Sequence, residues 1–278
     1  VIIDIGDNTL IEDKRSVFYL ENATFAYPFE EPVLKQINLN IHEADRVSIL
    51  GVNGCGKSTL LKVFAGLLYP QEGIFKAFDE AVTEKTFSSD KAAKKYHGKV
   101  GFIFQDSEVQ LFCSTVEEEI AFGLLQLGLA ESEVKQRISD VLSMLNIEHM
   151  RSKTPFKLSG GEKKKVAIAS VLAMNPEVLI LDEPTNGLDP RTQRWLVDLL
   201  INLNKMGKTL ITSTHNLELV QEISDRALLF DETHKIVSDQ PTKELLSNIE
   251  LLKSANLIDE YYHVHADGKH SHFHIHNY

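Results

Sequence analysis

The chain has 278 residues, 43% hydrophobic and 25% charged, with a formal net charge of -11. That length suits one large α/β domain or a domain with a subdomain, and the acidic balance argues against a nucleic-acid or anionic-lipid surface. No run approaches the ~18 consecutive apolar residues of a membrane span, no secretory signal opens the chain, and two isolated cysteines, Cys55 and Cys113, fit a reduced cytoplasmic protein.

Residues 1–15 are acidic and weakly patterned and read as an N-terminal extension. From Ser16 a strand pattern begins, with Val17-Phe18-Tyr19-Leu20, then Ala23-Thr24-Phe25-Ala26-Tyr27, then alternating apolar residues from Val33 to Ile41. Pro28 and Pro32 mark the loop between the second and third runs. Tyr27 precedes that loop; it is either a platform for a purine ring or an exposed strand-end tyrosine, and spacing leaves both open.

The apolar run Arg46-Val47-Ser48-Ile49-Leu50 feeds Gly51-Val52-Asn53-Gly54-Cys55-Gly56-Lys57-Ser58-Thr59, and a helical pattern of Leu60, Leu61, Phe64, Leu67 and Leu68 follows. Strand, glycine loop and helix are the context in which a phosphate-binding loop works. Glycines let successive N–H groups turn inward around an anion, and the helix start adds partial positive charge. Lys57 suits the β- and γ-phosphates, and the Ser58 hydroxyl suits Mg²⁺. The expected ligand is a nucleoside triphosphate.

Pro70 and Gly73 are expected to end that helix, and the polar stretch from Glu80 to Lys99, lysine-rich from Lys91, reads as a surface insertion. Val100-Gly101-Phe102-Ile103-Phe104-Gln105 is a buried strand ending in an amide. Thr115 and Glu118 form a capping box that opens a helix. Val134, Ile138, Val141, Leu142 and Leu145 fall on one face of another, so residues from about 106 to 175 form a mostly helical insert. It closes on Leu158-Ser159-Gly160-Gly161-Glu162, paired glycines at a helix start that can hold an anion.

The apolar strand Val178-Leu179-Ile180-Leu181 then delivers Asp182 and Glu183 to its C-terminal end, where ligands sit in parallel sheets. Asp182 suits the Mg²⁺ shell and Glu183 a general base on water. Asn186 to Pro190 is a turn, and Thr209 to Thr214 is a strand that places His215 near the γ-phosphate.

In order, the phosphate loop, Gln105, LSGGE, Asp182-Glu183, Leu188-Asp189 and His215 resemble ATP-binding-cassette ATPases over about residues 17 to 237. The resemblance implies an α/β P-loop NTPase with a RecA-like core, an antiparallel β subdomain and a helical subdomain. It implies a head-to-tail dimer in which each ATP lies between one chain's phosphate loop and the other's Ser159-Gly160-Gly161. Under it, Tyr27 becomes the adenine-stacking residue, Gln105 a Mg²⁺ and water contact, and His215 the γ-phosphate switch. Glu162 departs from the glutamine that many relatives carry.

Phe102 to Phe112 and Thr115 to Gly123 are similar to the ATPase subunits of energy-coupling-factor importers, which take up vitamins or nickel and cobalt, and the stretch from Pro241 to Ile258 is similar to their C-terminal extension. In that family the segment after the glutamine forms a short helix near the membrane partner. The expected organisation is an extension at 1–15, an ATPase domain at 16–240, a helical extension at 241–260 and a histidine-rich tail at 261–278. In the tail stand His263, His265, His270, His272, His274 and His276, six of the chain's eleven histidines. Imidazole suits Ni²⁺, Co²⁺, Zn²⁺ and Cu²⁺, and alternate spacing would place the last four on one face of an extended strand. The expectation is an ATP- and Mg²⁺-dependent ATPase, a homodimer or a dimer with a paralogue, peripheral on the cytoplasmic face of the membrane. It would energise integral membrane subunits that import cobalt or nickel, with no nucleic-acid partner. The alternatives are vitamin uptake by the same machinery and a cassette ATPase outside transport.

Overall fold

A computed structural model describes residues 14–258. Its first strands are long and antiparallel. β1 (Ser16–Ala26) lies between β2 (Pro32–His42) and β4 (Glu72–Ala77), and the short β5 (Glu80–Ala81) completes a four-stranded sheet of order β2-β1-β4-β5. The two apolar runs expected at the start of the chain are one strand, with an irregular register between Leu20 and Ala23 where Asn22 takes φ 48°. This bulge keeps Val17, Phe18 and Leu20 before it and Ala23 and Phe25 after it in the core. Gly73 meets the bulge at φ 84°, where an added Cβ would lie 2.4 Å from the carbonyls of Glu21 and Asn22.

The second sheet holds β3 (Arg46–Leu50), β6 (Val100–Ile103), β7 (Val178–Asp182), β8 (Thr209–Ser213), β9 (Arg226–Phe230) and β10 (Ile236–Pro241), in the order β10-β9-β3-β8-β7-β6. All neighbours run parallel except β10. Every residue of β7 and β8 is buried, which is why Val178 to Leu181 of β7 read as an unbroken apolar run rather than an alternating one.

α1 (Lys57–Phe64) packs between the two sheets, and Phe18 and Phe64 stack at 4.7 Å. It is shorter than its apolar pattern predicts. Gly66, at φ 70°, turns the chain before Pro70, and the amides of Leu67 and Leu68 both return to the Lys62 carbonyl. The polar stretch after β5 is also not a bare surface insertion. It forms a 3-10 turn (Glu84–Ser88) and α2 (Asp90–Lys99), anchored by buried Tyr96, whose hydroxyl donates to the Phe64 carbonyl. One aromatic anchor in a lysine-rich sequence leaves no periodic trace.

Between β6 and β7 lie α3 (Ser107–Gln110), α4 (Val116–Gln126), α5 (Glu131–Met144) and α6 (Gly160–Leu172), and the last three share an apolar core including Ile120, Leu124, Ile138, Leu142 and Ile168. Thr115 and Glu118 make the reciprocal bonds of a capping box at the start of α4. α7 (Pro190–Lys205) and α8 (Leu217–Ile223) follow β7 and β8. After β10, α9 (Thr242–Ser247) and α10 (Ile249–Ser254) bring Leu245, Leu252 and Ala255 into a cluster with Leu50, the residue before the glycine loop. No helix among the described residues is long and apolar enough to cross a membrane.

Candidate nucleotide site

β3 ends at the glycine loop and α1 starts at Lys57. Gly56 takes φ 116°, and a Cβ there would stand 2.5 Å from the Val33 carbonyl, so the curl that starts α1 needs glycine. Lys57, only 5% exposed, turns back along the loop and donates to the carbonyls of Gly51 at 2.7 Å and Val52 at 3.0 Å. Those bonds hold its ammonium at the loop and replace the water lost on burial. Cys55 is buried behind the loop, and burial pushes its thiol up.

Glu183 follows β7 with φ 40°, a left-handed backbone that costs a non-glycine residue about 1–3 kcal/mol. The conformation is held by Ser213, whose carbonyl and hydroxyl both accept the Glu183 amide at 3.1 and 3.2 Å. The same hydroxyl donates to Asp182 Oδ1. Glu183 is thereby turned out of line with Asp182 and toward His215, whose Nδ1 lies 3.0 Å from Glu183 Oε1. An ionised carboxylate only accepts, so Nδ1 carries the proton and Nε2 is left free for a further partner. The Glu183 side chain is 10% exposed and His215 61%.

A cleft of about 340 Å³ opens above these groups, lined by Tyr27, Asn53, Gly54, Gly56, Lys57, Ser58, Thr59, Gln105, Glu183 and His215, together with Glu30, Val33 and Asn186. The Tyr27 hydroxyl lies 3.3 Å from Thr59 Oγ1, and its ring meets Phe25 edge-on. Gly51, Val52 and Cys55 form the back of the loop, and Asp182 is buried beside Ser213 outside the cleft lining. Ser159, Gly160 and Gly161 do not line the cleft; they open α6, where Ser159 and Glu162 form a capping box. The six tail histidines lie outside the described residues.

Two residues that contact the site segments were not legible as such in the sequence. Lys164 is buried and donates to the carbonyls of Phe104 and Gln105. Burial pushes its ammonium down to about 8, with Asp106 and Asp182 pulling the other way. It sits in a run of three lysines that reads as a solvated face, although its spacing from buried Ala167, Ile168 and Val171 places it on the inner stripe of α6. His234, at φ 69° in the turn after β9, has Nδ1 3.1 Å from the Cys55 carbonyl. A carbonyl only accepts, so His234 donates and ties that turn to the glycine loop.

Ser58, Gln105 and Asp182 offer hydroxyl, amide and carboxylate oxygens, the hard donor set that suits Mg²⁺. Among the described residues no cluster of three or more His, Cys, Asp or Glu side chains could hold a metal ion. A glycine cradle at the head of α1, above a parallel sheet that ends in two acids, defines a P-loop nucleoside triphosphatase.

The comparisons with known proteins narrow that class. The family model described as ABC transporter matches residues 34–186. The energy-coupling factor transporter ATP-binding protein EcfA of Methanocaldococcus jannaschii is 42% identical over 84% of this chain and 82% of its own length. The nickel import ATP-binding protein LarO of Lactiplantibacillus plantarum is 40% identical over 81% and 93%. Among solved structures, cbiO1 of Clostridium perfringens, part of the ABC transporter complex cbiONQ, superposes with a TM-score of 0.75 at 35% identity, over 88% of this chain and 96% of that one. The cassette MJ0796, a dimer in a post-hydrolysis state with ADP and Pi, superposes at 0.73 with 30% identity over 81% and 98%. The chain belongs to the ABC transporter ATP-binding family and is an ATPase that uses ATP and Mg²⁺.

Proposed function

We propose that this chain is the ATPase subunit that energises a membrane importer of a divalent metal, nickel or cobalt. The single observation that carries the cargo is the histidine-rich tail, His263, His265, His270, His272, His274 and His276, whose imidazoles suit Ni²⁺ and Co²⁺ and serve no purpose for an organic vitamin. The name of the nickel-import relative supports the same cargo. We take residues 16–240 as the ATPase domain, 241–260 as a helical extension and 261–278 as the metal-binding tail.

In this reading Tyr27 stacks on adenine, and Asn53, Gly54, Gly56 and the other loop amides with Lys57 and Thr59 hold the phosphates. Ser58, Gln105 and Asp182 hold Mg²⁺, which when bound neutralises phosphate charge. Glu183 takes the proton of the attacking water, and His215, oriented by Glu183, contacts the γ-phosphate through Nε2. Ser159, Gly160 and Gly161 address the nucleotide of a second ATPase chain, a copy or a paralogue. Closure on ATP and reopening after hydrolysis drive the membrane subunits.

An apolar surface beside Gln105, with Phe102, Phe104, Phe112 and Phe122 around a cavity of about 260 Å³, suits a helix of those subunits. Phe112 is 58% exposed on a chain with no described span of its own. The chain then works as a peripheral protein on the cytoplasmic face of the membrane. Whole-cell nickel and cobalt content, compared between the intact gene and Glu183→Gln, tests the cargo. A selective fall in one metal supports the reading. Unchanged metals reject it and turn the search to vitamin uptake.

A further inference from the structure

Lys164 lies on the face of α6 that turns into the protein, and 2% of it is exposed. Its ammonium donates to the carbonyl of Phe104 at 3.0 Å and to that of Gln105 at 2.9 Å. A buried ammonium persists only where acceptors replace its water. These acceptors sit just beyond β6, on the segment whose Gln105 side chain lines the nucleotide cleft. Further fastenings run beside it. Gln110 accepts the Phe104 amide at 3.3 Å and donates to the Ala167 carbonyl at 3.2 Å, and Lys163 pairs with Glu108. Lys163, Lys164 and Ala167, all on α6, therefore grip residues 104–110. The same helix begins at Gly160, with Ser159 as its cap.

We propose that Lys164 is a positioning residue that couples two nucleotide sites. It fastens the backbone of Gln105, which faces this chain's own nucleotide, to the helix that offers Ser159, Gly160 and Gly161 to the partner chain's nucleotide. This rests on the dimer reading above. Lys164 does not line the cleft, so its effect passes through Gln105 and α6. Two segments joined by hydrogen bonds from a buried lysine share one displacement, and a displacement shared by two ligand sites is a coupling free energy between them. In a two-site ATPase that coupling appears as cooperativity in ATP.

The test uses the full chain with Lys164→Met, which removes the donors at similar length, and Lys164→Gln, which keeps an amide donor. Fluorescent-nucleotide binding by each chain, the Hill coefficient and rate of ATP hydrolysis, and ATP-driven dimerisation of the Glu183→Gln parent by light scattering are measured together. Lys164→Met is expected to bind nucleotide within about twofold of the parent, while its Hill coefficient falls toward about 1 and its turnover falls about tenfold. Lys164→Gln is expected to recover part of both. An unchanged Hill coefficient and rate in Lys164→Met, with the parent dimerising on ATP, overturns the coupling and leaves the dimer standing. A parent that stays monomeric with ATP overturns the dimer, and the coupling with it. Should Lys164→Met fail to fold, Lys164→Gln carries the same measurement: an intermediate Hill coefficient supports the coupling and an unchanged one overturns it.

Discussion

His215 Nδ1 donates to Glu183 Oε1 at 3.0 Å, joining the second residue after β8 to the residue after β7 across the top of the parallel sheet. The bond engages Nδ1 and leaves Nε2 available, and both residues line the cleft. His215→Ala should leave ATP binding within about twofold and lower turnover by roughly 10²-fold, the scale of losing one positioned acid–base group. Phosphate release and equilibrium nucleotide binding, measured on the same preparation, check this. A loss of binding equal to the loss of rate would make His215 a binding residue only.

Gly56→Ala puts a methyl 2.5 Å from a backbone carbonyl at φ 116°. Neither the Val33 backbone nor the loop can move aside without opening the start of α1. The expected cost is about 1–3 kcal/mol in urea unfolding, with nucleotide affinity lost in the protein that remains folded. Gly54→Ala is the control. No protein atom lies within 4 Å of its added Cβ, so any loss of stability there reports its φ of 84° and not a clash.

Glu162 accepts the Ser159 amide at 2.9 Å, and that donor with the Ser159 hydroxyl holds its carboxyl below the usual range. A folded-state value depressed in this way stabilises above the unfolded value, and the gain is lost as pH falls through the folded one. Glu162→Gln keeps a capping acceptor, and Glu162→Ala should cost roughly 0.5–1 kcal/mol at neutral pH. The gap between wild type and Glu162→Ala should narrow as pH falls below about 4.3, the ordinary glutamate value. Thermal unfolding at several pH values decides it.

His234 joins the turn after β9 to the Cys55 carbonyl while holding φ 69°. His234→Gly relieves the backbone but removes the tie, and His234→Asn tolerates the backbone while keeping an amide donor. The expected result is a rise in KM for ATP of roughly threefold to tenfold in His234→Gly, the scale of one hydrogen bond, with kcat little changed. His234→Asn should recover part of the KM effect. A change in unfolding temperature with no change in KM would confine His234 to holding the turn.

What the sequence made legible was whatever is contiguous. The glycine loop, the Asp182-Glu183 strand end and the Thr115–Glu118 box are local patterns, and each needs only its neighbours to be read. The α/β class followed from the apolar strands of a sheet buried on both faces. Tyr96 and Lys164 escaped because their roles depend on partners far along the chain: the Phe64 carbonyl for one, the Phe104 and Gln105 carbonyls for the other. Glu30 lines the cleft without any motif to mark it, and Asn186 was legible only as the start of a turn. The early end of α1 was missed because a glycine inside an apolar run competes with a stronger helical signal two residues on.

The central claim is that Glu183 activates water for ATP hydrolysis in this cleft. The most direct measurement is steady-state ATP turnover by purified Glu183→Gln, with nucleotide binding recorded in parallel. Retained binding and turnover reduced by about 10²-fold or more are expected. Undiminished turnover with retained binding would contradict it and move the general base elsewhere in the site.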